Sequence, residues 1–431
     1  MTNSWVNWAG DQRCAPSVLA TPRNADEVAE ILVRAVADGR NVRVAGAGHS
    51  FTDTVLTDGV LMNLSAMNRI IDIDGANGLV RVEGGITLNA ASAALHAAGL
   101  AFPNLGDIDV QTIAGATATG THGTGAALQN ISAAIHSAEL VLPDGSRVEL
   151  NAESDPDGWR AARVGIGALG VVTALTLRLV PSFVLEGIER PIPVEDILDD
   201  LDSHVDGNEH FEFYMFAHSP LAMTKRNNTV DLPEQPRARA VDWFADILMS
   251  NYAFDGLCRL GKWQPGLIPL IHRGAAYAGS YRRQIDRSYR VFASPRLIRF
   301  TEMEYAVPRA HSAEAIREIK ELAKRFDTAM PIEVRWVAPD DAFLSPASGR
   351  DTCYIAVHQY RGMEWEPYFR ACEAVFDKYE GRPHWGKRHF QEARTLRERY
   401  PDWDRFAAVR RRLDPKGLFV NPYLDRVLGP I

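Results

Sequence analysis

Two glycine-rich loops restrict the folds open to this chain of 431 residues. The first, AGAGHS at 45–50, follows a candidate strand that begins at Asn41. The second, ATGTHGTG at 118–125, interleaves three glycines with three threonines. Glycine lets a backbone approach a ligand closely, and backbone amides with threonine hydroxyls can surround a pyrophosphate without a cation. The loops therefore indicate a nucleotide site, although each loop alone is also compatible with an ordinary tight turn.

The first loop does not fit a nicotinamide dinucleotide. That fingerprint requires a third glycine at position 51, where this chain has Phe51, and it requires a helix directly after the loop. No clear helical pattern follows AGAGHS. The nicotinamide interpretation is therefore rejected.

Short helices and strands alternate along the chain. Apolar residues at helical spacing predict helices at 25–38, 88–98, 312–326 and 364–379, and a charged helical segment at 395–415. Alternating Val, Leu and Thr make 171–180 the clearest strand, and further strands are predicted at 208–218 and 330–337. Residues 225–300 show no clear periodicity. We expect an α+β protein of two domains.

Composition excludes several classes of function. The chain carries 47 basic and 55 acidic residues, a net charge of −8, and no basic run, so no nucleic-acid or anionic-membrane partner is expected. The first residues lack the features of a signal peptide, and no apolar stretch approaches the ~18 residues of a spanning helix. We expect a cytoplasmic protein without a membrane partner. Its four cysteines are too scattered for a disulfide scaffold or zinc ribbon.

The carboxyl-terminal half carries the side chains best suited to acid–base chemistry. Glu333 and Arg335 lie two residues apart on a candidate strand, so both leave the same face. His358 lies on a second candidate strand, and Lys387 follows an HWG turn. On a solvated face Glu333 and Arg335 would form only an ion pair. In a site, a cation could stabilise an anionic group, and Glu333, Arg335 or His358 could act as the base.

Metal and hydrolase chemistry lack a sequence pattern. His384 and His389 are five residues apart without an adjacent carboxylate pair, and the chain contains no CxxC. It also contains no G-x-S-x-G nucleophile elbow. We expect no metal, and we expect His384 and Trp385 to pack the turn before Lys387.

Several segments occur in an order that resembles one family. GAGHSF, PNLGDI, ATGTHGTG and GALGVVT resemble the flavin domain of the vanillyl-alcohol oxidase type. PIEVRW, GRDTCYIAVHQY, RPHWGKRHF and FVNPYL resemble the cap domain of its aldonolactone oxidase group. The resemblance covers nearly the whole chain and is weakest at 225–300. It implies an FAD-binding domain at 1–180, completed by the tail 410–431, and a substrate-binding cap domain at 181–409.

The resemblance also implies roles for individual residues. In the family, the histidine of G-x-G-H-S bonds covalently to the flavin 8α-methyl group, which implies FAD attached through His49. Glu333 and Arg335 would contact substrate hydroxyls, while His358 and Lys387 would stand near the flavin. Gly106 matches an oxygen gate, where glycine accompanies oxidases and alanine accompanies dehydrogenases. Besides His49 and Lys387, the implied FAD-binding residues are Gly46, Ala47, Gly48, Ser50, Gly106, Asp107, Gly115, Thr119, Gly120, His122, Gly123, Gly125, Gly170, Val172 and Asn421.

The activity implied by the resemblance is the oxidation of a sugar lactone. L-gulono-1,4-lactone would be oxidised at C2 to a product that tautomerises to ascorbate, and oxygen would accept the electrons and give hydrogen peroxide. Three alternatives stay open: a dehydrogenase that reduces a cytochrome or dye, an alditol oxidase, and a non-catalytic flavin- or sugar-binding protein. We expect a monomer or a small homo-oligomer.

Overall fold

A computed structural model describes residues 3–237, 251–278 and 281–431. In chain order, the strands are β1 Trp5–Val6, β2 Arg13–Cys14, β3 Val18–Ala20, β4 Val42–Ala45, β5 Val60–Asn63, β6 Ile70–Asp74, β7 Leu79–Glu83, β8 Leu100–Ala101, β9 Ile135–Val141, β10 Arg147–Asn151, β11 Val171–Arg178, β12 Val180–Pro181, β13 Val184–Pro193, β14 His210–Met215, β15 Leu221–Thr229, β16 Arg282–Arg287, β17 Phe300–Pro308, β18 Ile332–Val337, β19 Thr352–Tyr360 and β20 Arg382–Pro383. The helices are α1 Ala25–Ala37, α2 Leu88–Ala97, α3 Ile113–Ala118, α4 Pro156–Arg163, α5 Val194–Asp199, α6 Leu201–Asp206, α7 Phe254–Trp263, α8 Ile268–Ala278, α9 Ser288–Phe292, α10 Ser312–Ala323, α11 Glu366–Lys378, α12 Ala393–Arg399, α13 Trp403–Leu413 and α14 Pro422–Leu428.

The first glycine loop directly follows a strand of a small parallel sheet. Strands β3, β5 and β4 pair in that order, and β4 ends at Ala45, directly before the loop. Helix α1 begins after Asn24, whose side chain accepts a hydrogen bond from the backbone N–H of Glu27. The buried face of α1 shares a core with Leu418 and Phe419 from the carboxyl end of the chain. The carboxyl tail is therefore part of the layer that carries this loop.

A five-stranded antiparallel sheet forms the second layer of this half. Its strand order is β10-β9-β11-β7-β6. Burial alternates towards both ends of β11, as the alternation of Val, Leu and Thr predicts, whereas Thr173, Ala174 and Leu175 at its centre are all buried. Leu396, Phe406 and Tyr423 from the last three helices join its core. Apolar burial thus binds the carboxyl-terminal helices to the amino-terminal half.

An eight-stranded antiparallel sheet dominates the remaining half. Its order is β16-β13-β15-β14-β18-β19-β17-β20. Helices α5, α10 and α11 cover one face through an apolar core that includes Val334 of β18. Because side chains alternate across a strand, Glu333 and Arg335 project from the opposite face. The register pairs Arg335 with Glu212, so charges from neighbouring strands meet on that face.

The predicted elements recur with shifted boundaries. The helix predicted at 312–326 ends at Ala323, and the one predicted at 364–379 begins at Glu366. The charged segment at 395–415 contains two helices, because Tyr400 is extended before Pro401, the conformation that a following proline imposes. The unassigned region 225–300 contains α7, α8, β16 and α9, while its residues 238–250 and 279–280 lie outside the described part. No described helix is both long and apolar enough to cross a membrane.

Candidate active site

Two adjoining cavities lie beside the glycine loops, and one of them extends to the eight-stranded sheet. The loop cavity is lined mainly by the first glycine loop, α3 and residues 162–172. The sheet cavity is lined by the second glycine loop and by side chains from β17, β18 and β19. His49, Ser50, Gln111 and Thr119 line both cavities. The two spaces therefore meet at these residues.

The loop cavity fits an anionic nucleotide through its backbone. The N–H groups of residues 47–50 have no hydrogen-bond acceptor among the described residues. Unpaired N–H groups in a concave lining favour an anion. The nearby guanidinium of Arg43 already donates to four backbone carbonyls, at positions 54, 166, 167 and 419. A pyrophosphate here would thus be held by amides rather than by a cation.

His49 lies where the cavities meet, with its ring uncharged near neutral pH. Burial first, and Lys387 second, lower the pKa of His49 to about 4. The ring stacks on Trp8, with ring centroids 5.2 Å apart and planes inclined by 22°. The backbone N–H of Trp8 donates to the carbonyl of Gly48 at 2.8 Å. The amino-terminal segment therefore fixes the position of a neutral imidazole at this junction.

The four side chains predicted to be catalytic all line the sheet cavity. On β18, Arg335 Nε lies 2.5 Å from Glu333 Oε1. From β19, His358 Nε2 lies 3.9 Å from Glu333 Oε2. Lys387, after β20, forms an ion pair with Glu302 of β17. Four separate segments thus converge on one buried polar cluster.

Arg335 is surrounded by carboxylates. It lies 2.8 Å from Asp107, 2.8 Å from Glu212 and 2.5 Å from Glu333. Burial lowers the pKa of Arg335, but these carboxylates outweigh burial and hold the pKa well above its usual value. Arg335 therefore stays protonated, which removes it from the three candidates for the base.

Glu333 is the carboxylate of this cluster that titrates near neutrality. Burial raises its pKa to about 7, with Asp107 and Glu212 adding to the effect and Arg335 opposing it. His358 donates its Nδ1–H to the carbonyl of Pro331 at 2.8 Å. Burial lowers the pKa of His358, but Glu302 reverses this and raises the pKa overall. Glu333 is therefore better suited than His358 to accept a proton near pH 7.

Glu302 completes the site, and it is not among the residues that the sequence motifs predict. Burial raises the pKa of Glu302, but Lys387 and His358 outweigh burial and bring it to about 2. In turn Glu302 raises the pKa of Lys387 against the opposite effect of burial. A signal was present, because the segment FTEMEYAVP places two glutamates at alternate positions of an apolar strand. Buried carboxylates need cationic or hydrogen-bonding partners, which marks such a strand as functional.

Glu304 links the second glycine loop to the sheet. The ligand atoms of His122, Glu304 and His384 lie within 4.8 Å of one another, a spacing that a metal ion could use. However, His384 Nδ1 accepts a hydrogen bond from the backbone N–H of Gly386 at 3.1 Å, so its Nε2 carries the proton. His122 donates Nδ1–H to the carbonyl of Gly123 at 2.8 Å, and its Nε2 lies 3.3 Å from Glu304. These hydrogen bonds fix the orientations of both imidazole rings beside Glu304.

The residues predicted to bind the cofactor fall into three groups. The loop cavity is lined by Gly46, Ala47, Gly48, His49, Ser50, Gly115, Thr119, Gly170 and Val172. The sheet cavity takes Gly106, Asp107, His122 and Lys387. Neither cavity is lined by Gly120, Gly123, Gly125 or Asn421.

The residues outside the cavities have packing roles. A Cβ on Gly123 would lie 2.1 Å from Asn104 Oδ1, so glycine is required by a close approach of two loops. The side chain of Asn421 caps α14 and donates to three backbone carbonyls at 53–56. Gly106 also packs closely, because a Cβ there would lie 2.9 Å from the carbonyl oxygen of His122. Two further polar residues, Tyr214 and Arg296, line the sheet cavity and donate hydrogen bonds to the carboxylate of Asp107.

Together, a cavity lined by unpaired backbone amides and an adjoining sheet cavity with a buried acid–base cluster suit an enzyme that uses a nucleotide cofactor. Residues 16–151 match the family described as FAD binding domain. Residues 175–427 match the family described as D-arabinono-1,4-lactone oxidase. The chain belongs to this D-arabinono-1,4-lactone oxidase family and is an FAD-dependent oxidoreductase. This confirms FAD as the predicted cofactor and sets aside the non-catalytic alternative, while the covalent attachment through His49 stays a prediction.

Relatives along the whole chain carry related names. The chain is 48% identical to L-gulono-1,4-lactone dehydrogenase of Mycobacterium tuberculosis, covering 100% of both chains. It is 32% identical to L-gulonolactone oxidase of Bos taurus, covering 98% of this chain and 97% of the relative. It is also 32% identical to alditol oxidase of a Streptomyces species, covering 99% and 100%. The predicted resemblance is thereby confirmed.

Solved structures share the fold at low identity. A solvent-stable cholesterol oxidase superposes with a TM-score of 0.83 at 18% identity, covering 100% of this chain and 98% of the other. Cholesterol oxidase from B. sterolicum superposes with a TM-score of 0.80 at 17% identity, covering 100% of this chain and 97% of the other. This similarity concerns the fold alone, and it confirms the predicted α+β architecture of two domains.

Proposed function

We propose that this protein oxidises L-gulono-1,4-lactone at C2, giving a 2-keto lactone that tautomerises to ascorbate. The observation that carries the proposal is the convergence of Glu333, Arg335, His358 and Lys387 on a cavity that meets the FAD cavity at His49. The names of the relatives support a lactone of this kind. The lactone lies between the eight-stranded sheet and the flavin, a ligand position typical of domain interfaces.

The chain's own residues bind the lactone and move its proton. Arg335 donates hydrogen bonds to the substrate hydroxyls, and Glu333 accepts the proton of the C2 hydroxyl. Lys387, kept charged by Glu302, stabilises negative charge that develops opposite it. When bound, FAD supplies the acceptor for the hydride that leaves C2. The proton and the hydride thus leave the same H–C–O–H unit, which becomes a ketone.

We propose that His49 holds the FAD covalently. The support is a ring that is uncharged near neutral pH and stands at the meeting of the two cavities. An uncharged imidazole has the lone pair that bond formation requires. The stack with Trp8 limits the orientations open to the ring.

For the electron acceptor, we propose a protein or dye-like acceptor rather than oxygen. The relative at 48% identity is named a dehydrogenase, whereas the two relatives described above that are named oxidases are 32% identical. The sequence prediction of an oxidase rests on Gly106, and the contact of that position with His122 gives the glycine a separate packing reason. Oxygen stays the second candidate, because Gly106 leaves the sheet cavity without a Cβ at this position.

We also propose the domain division predicted from the sequence. An FAD domain at 1–180 is completed by 410–431, and the cap domain occupies 181–409. The family matches at 16–151 and 175–427 support a division near residue 180. The contribution of Leu418 and Phe419 to the core around α1 supports the return of the tail. Leu396 and Phe406, which share the core of the amino-terminal half, favour a start of this tail before residue 410.

Anaerobic reduction tests the proposed function. L-gulono-1,4-lactone should bleach the flavin absorbance of the holoenzyme, whereas xylitol should bleach it much more slowly. Rapid bleaching by xylitol alone would make the protein an alditol oxidase. After reduction, mixing with aerated buffer or with oxidised cytochrome c reports the acceptor, and fast recovery in aerated buffer would make it an oxidase.

A further inference from the structure

An apolar surface lies outside the two cavities. Among the described residues, seven of the seventeen exposed large apolar side chains fall within 252–281. They are Tyr252, Leu257, Leu260, Trp263, Leu267, Leu270 and Tyr281. Trp263 is 76% exposed and Leu270 is 69% exposed. We call this set the hairpin surface, because α7, α8 and the residues beside them carry it.

The hairpin has apolar groups on its inner and outer faces. Cys258 of α7 and Ile268 of α8 are buried against the body of the protein. Leu260 and Trp263 face outward from the same helix that buries Cys258. A surface helix in water normally turns a polar face outward. A concentrated apolar set on the outer face therefore indicates contact with something other than water.

Cations accompany these apolar side chains. Arg259, Lys262 and Arg273 are exposed, and the segment 251–278 contains a single acidic residue, Asp255. Asp255 accepts a hydrogen bond from Tyr360 at 2.7 Å and pairs with Arg259. Lys262 and Arg273 therefore carry the excess positive charge of the hairpin, and the Lys262 amine uses one of its three N–H donors on the carbonyl of Arg361 at 3.1 Å. This local excess differs from the net charge of −8 of the whole chain, from which no anionic-membrane partner is expected. Charges act over about 8–10 Å at physiological salt, so a contact responds to the local charge.

The combination of exposed apolar and cationic side chains favours a lipid surface over a protein partner. Cores of protein interfaces are depleted of lysine. Helices that lie in the headgroup region of a bilayer combine Trp and Leu on one side with Lys and Arg beside them. Such helices need no membrane-spanning length, in keeping with the described helices. The hairpin also borders the site, because Asn251 and Phe254 line the sheet cavity.

We propose that the hairpin surface docks the protein on an anionic lipid bilayer. Trp263, Leu267 and Leu270 enter the boundary between headgroups and acyl chains. Lys262 and Arg273 contact lipid phosphates. The sheet cavity then lies beside the membrane, with its substrate still arriving from water.

Flotation with lipid vesicles tests the proposal on the holoenzyme. The protein should float with vesicles of equal parts phosphatidylglycerol and phosphatidylcholine, and much less with phosphatidylcholine alone. High salt should weaken this binding, because it screens the cations. The double variant Trp263→Ala/Leu270→Ala should bind at least ~10-fold more weakly, since two large apolar contacts are lost. The double variant Lys262→Gln/Arg273→Gln should lose affinity for these vesicles by roughly fivefold for each cation removed.

A matched control changes apolar side chains elsewhere. Leu19 and Ile71 are 46% and 51% exposed, and Leu19→Ala/Ile71→Ala should float like the parent. All variants should keep the flavin absorbance and the turnover of lactone with a soluble dye. The proposal is overturned if the parent does not float, if the hairpin variants float like the parent, or if the control loses binding equally. If the parent is a dimer that does not bind vesicles, and Trp263→Ala makes it monomeric, this face would instead be a contact between two copies of the chain.

Discussion

At the scale of single residues, the sheet cavity separates the pKa values of similar groups. Lys387 and His358 hold the pKa of Glu302 at about 2 despite burial, whereas burial raises that of Glu333 to about 7. Removing a charge from water costs several kcal/mol, so each permanent charge here needs a partner. One permanently charged carboxylate and one that titrates near neutrality provide the two functions of a proton-transfer site.

The base assignment predicts a pH dependence. In the parent, kcat/KM for the lactone should rise as the pH rises through about 7, because only ionised Glu333 accepts the hydroxyl proton. Glu333→Gln should lower the rate of flavin reduction by about 10²–10⁴-fold and remove this rise. Stopped-flow reduction at pH values on both sides of 7 measures both effects. Glu153→Gln, at an exposed glutamate, is the control and should behave like the parent. An unchanged pH profile in Glu333→Gln would show that another residue is the base.

The attachment of FAD through His49 predicts a change in cofactor release. Acid precipitation of the parent should leave the yellow colour in the pellet. His49→Ala should release the flavin into the supernatant, because the covalent bond cannot form. The absorbance of both fractions measures this, with exposed His311→Ala as the control. Free flavin from the native protein would contradict covalent attachment.

At the scale of elements, strand register assembles the site. Glu302 of β17 pairs with His358 of β19, and Arg335 of β18 pairs with Glu212 of β14. Antiparallel neighbours bring directly opposite side chains within about 4.5–5.5 Å at Cβ. Because the period along a strand is two residues, a register slip of one residue would turn all these groups to the helix-covered face.

The close approach of Gly106 to the second glycine loop predicts a loss of stability when position 106 carries a side chain. Gly106→Ala should lower the free energy of unfolding by about 1–3 kcal/mol, because its Cβ would lie 2.9 Å from the carbonyl of His122. Gly75 has open space around it, so Gly75→Ala should change stability by less than ~0.5 kcal/mol. Urea unfolding measures both variants. Equal stabilities would show that the loops separate without strain, and any change in reoxidation could then be attributed to oxygen access.

At the scale of the whole molecule, the carboxyl tail joins distant parts of the chain. Arg43 donates to the carbonyl of Phe419, and the amide of Asn421 donates to carbonyls at 53–56. Leu418 and Phe419 fill the core beneath α1. The loop that carries His49 therefore lies in a layer that only the last residues of the chain complete.

This arrangement predicts that Asn421 supports the fold rather than the cavities. Asn421→Ala should lower the free energy of unfolding by about 2–4 kcal/mol, because a helix cap and buried hydrogen bonds are lost. The KM for the lactone should stay near that of the parent. Urea unfolding measures the stability and steady-state kinetics measure the KM, with Asn68→Ala at an exposed asparagine as the control. Normal stability with weakened FAD binding would instead support the predicted cofactor role.

The sequence by itself determined the features that depend on near neighbours. Helix α1 and strand β11 follow from periodicity, and the glycine loops follow from composition at fixed positions. Glu333 and Arg335 were predicted to share a face, because residues two apart in any strand do so. The order of motifs along the chain was enough for the family and the cofactor.

Only the tertiary structure decided which charges meet. Asp107, from the loop before α3, reaches Arg335 of the eight-stranded sheet, and Glu302 rather than solvent neutralises Lys387. These contacts set which carboxylate titrates near neutrality. They depend on strand order and on burial between segments far apart in the chain, and Coulomb interactions act through space whatever the sequence separation.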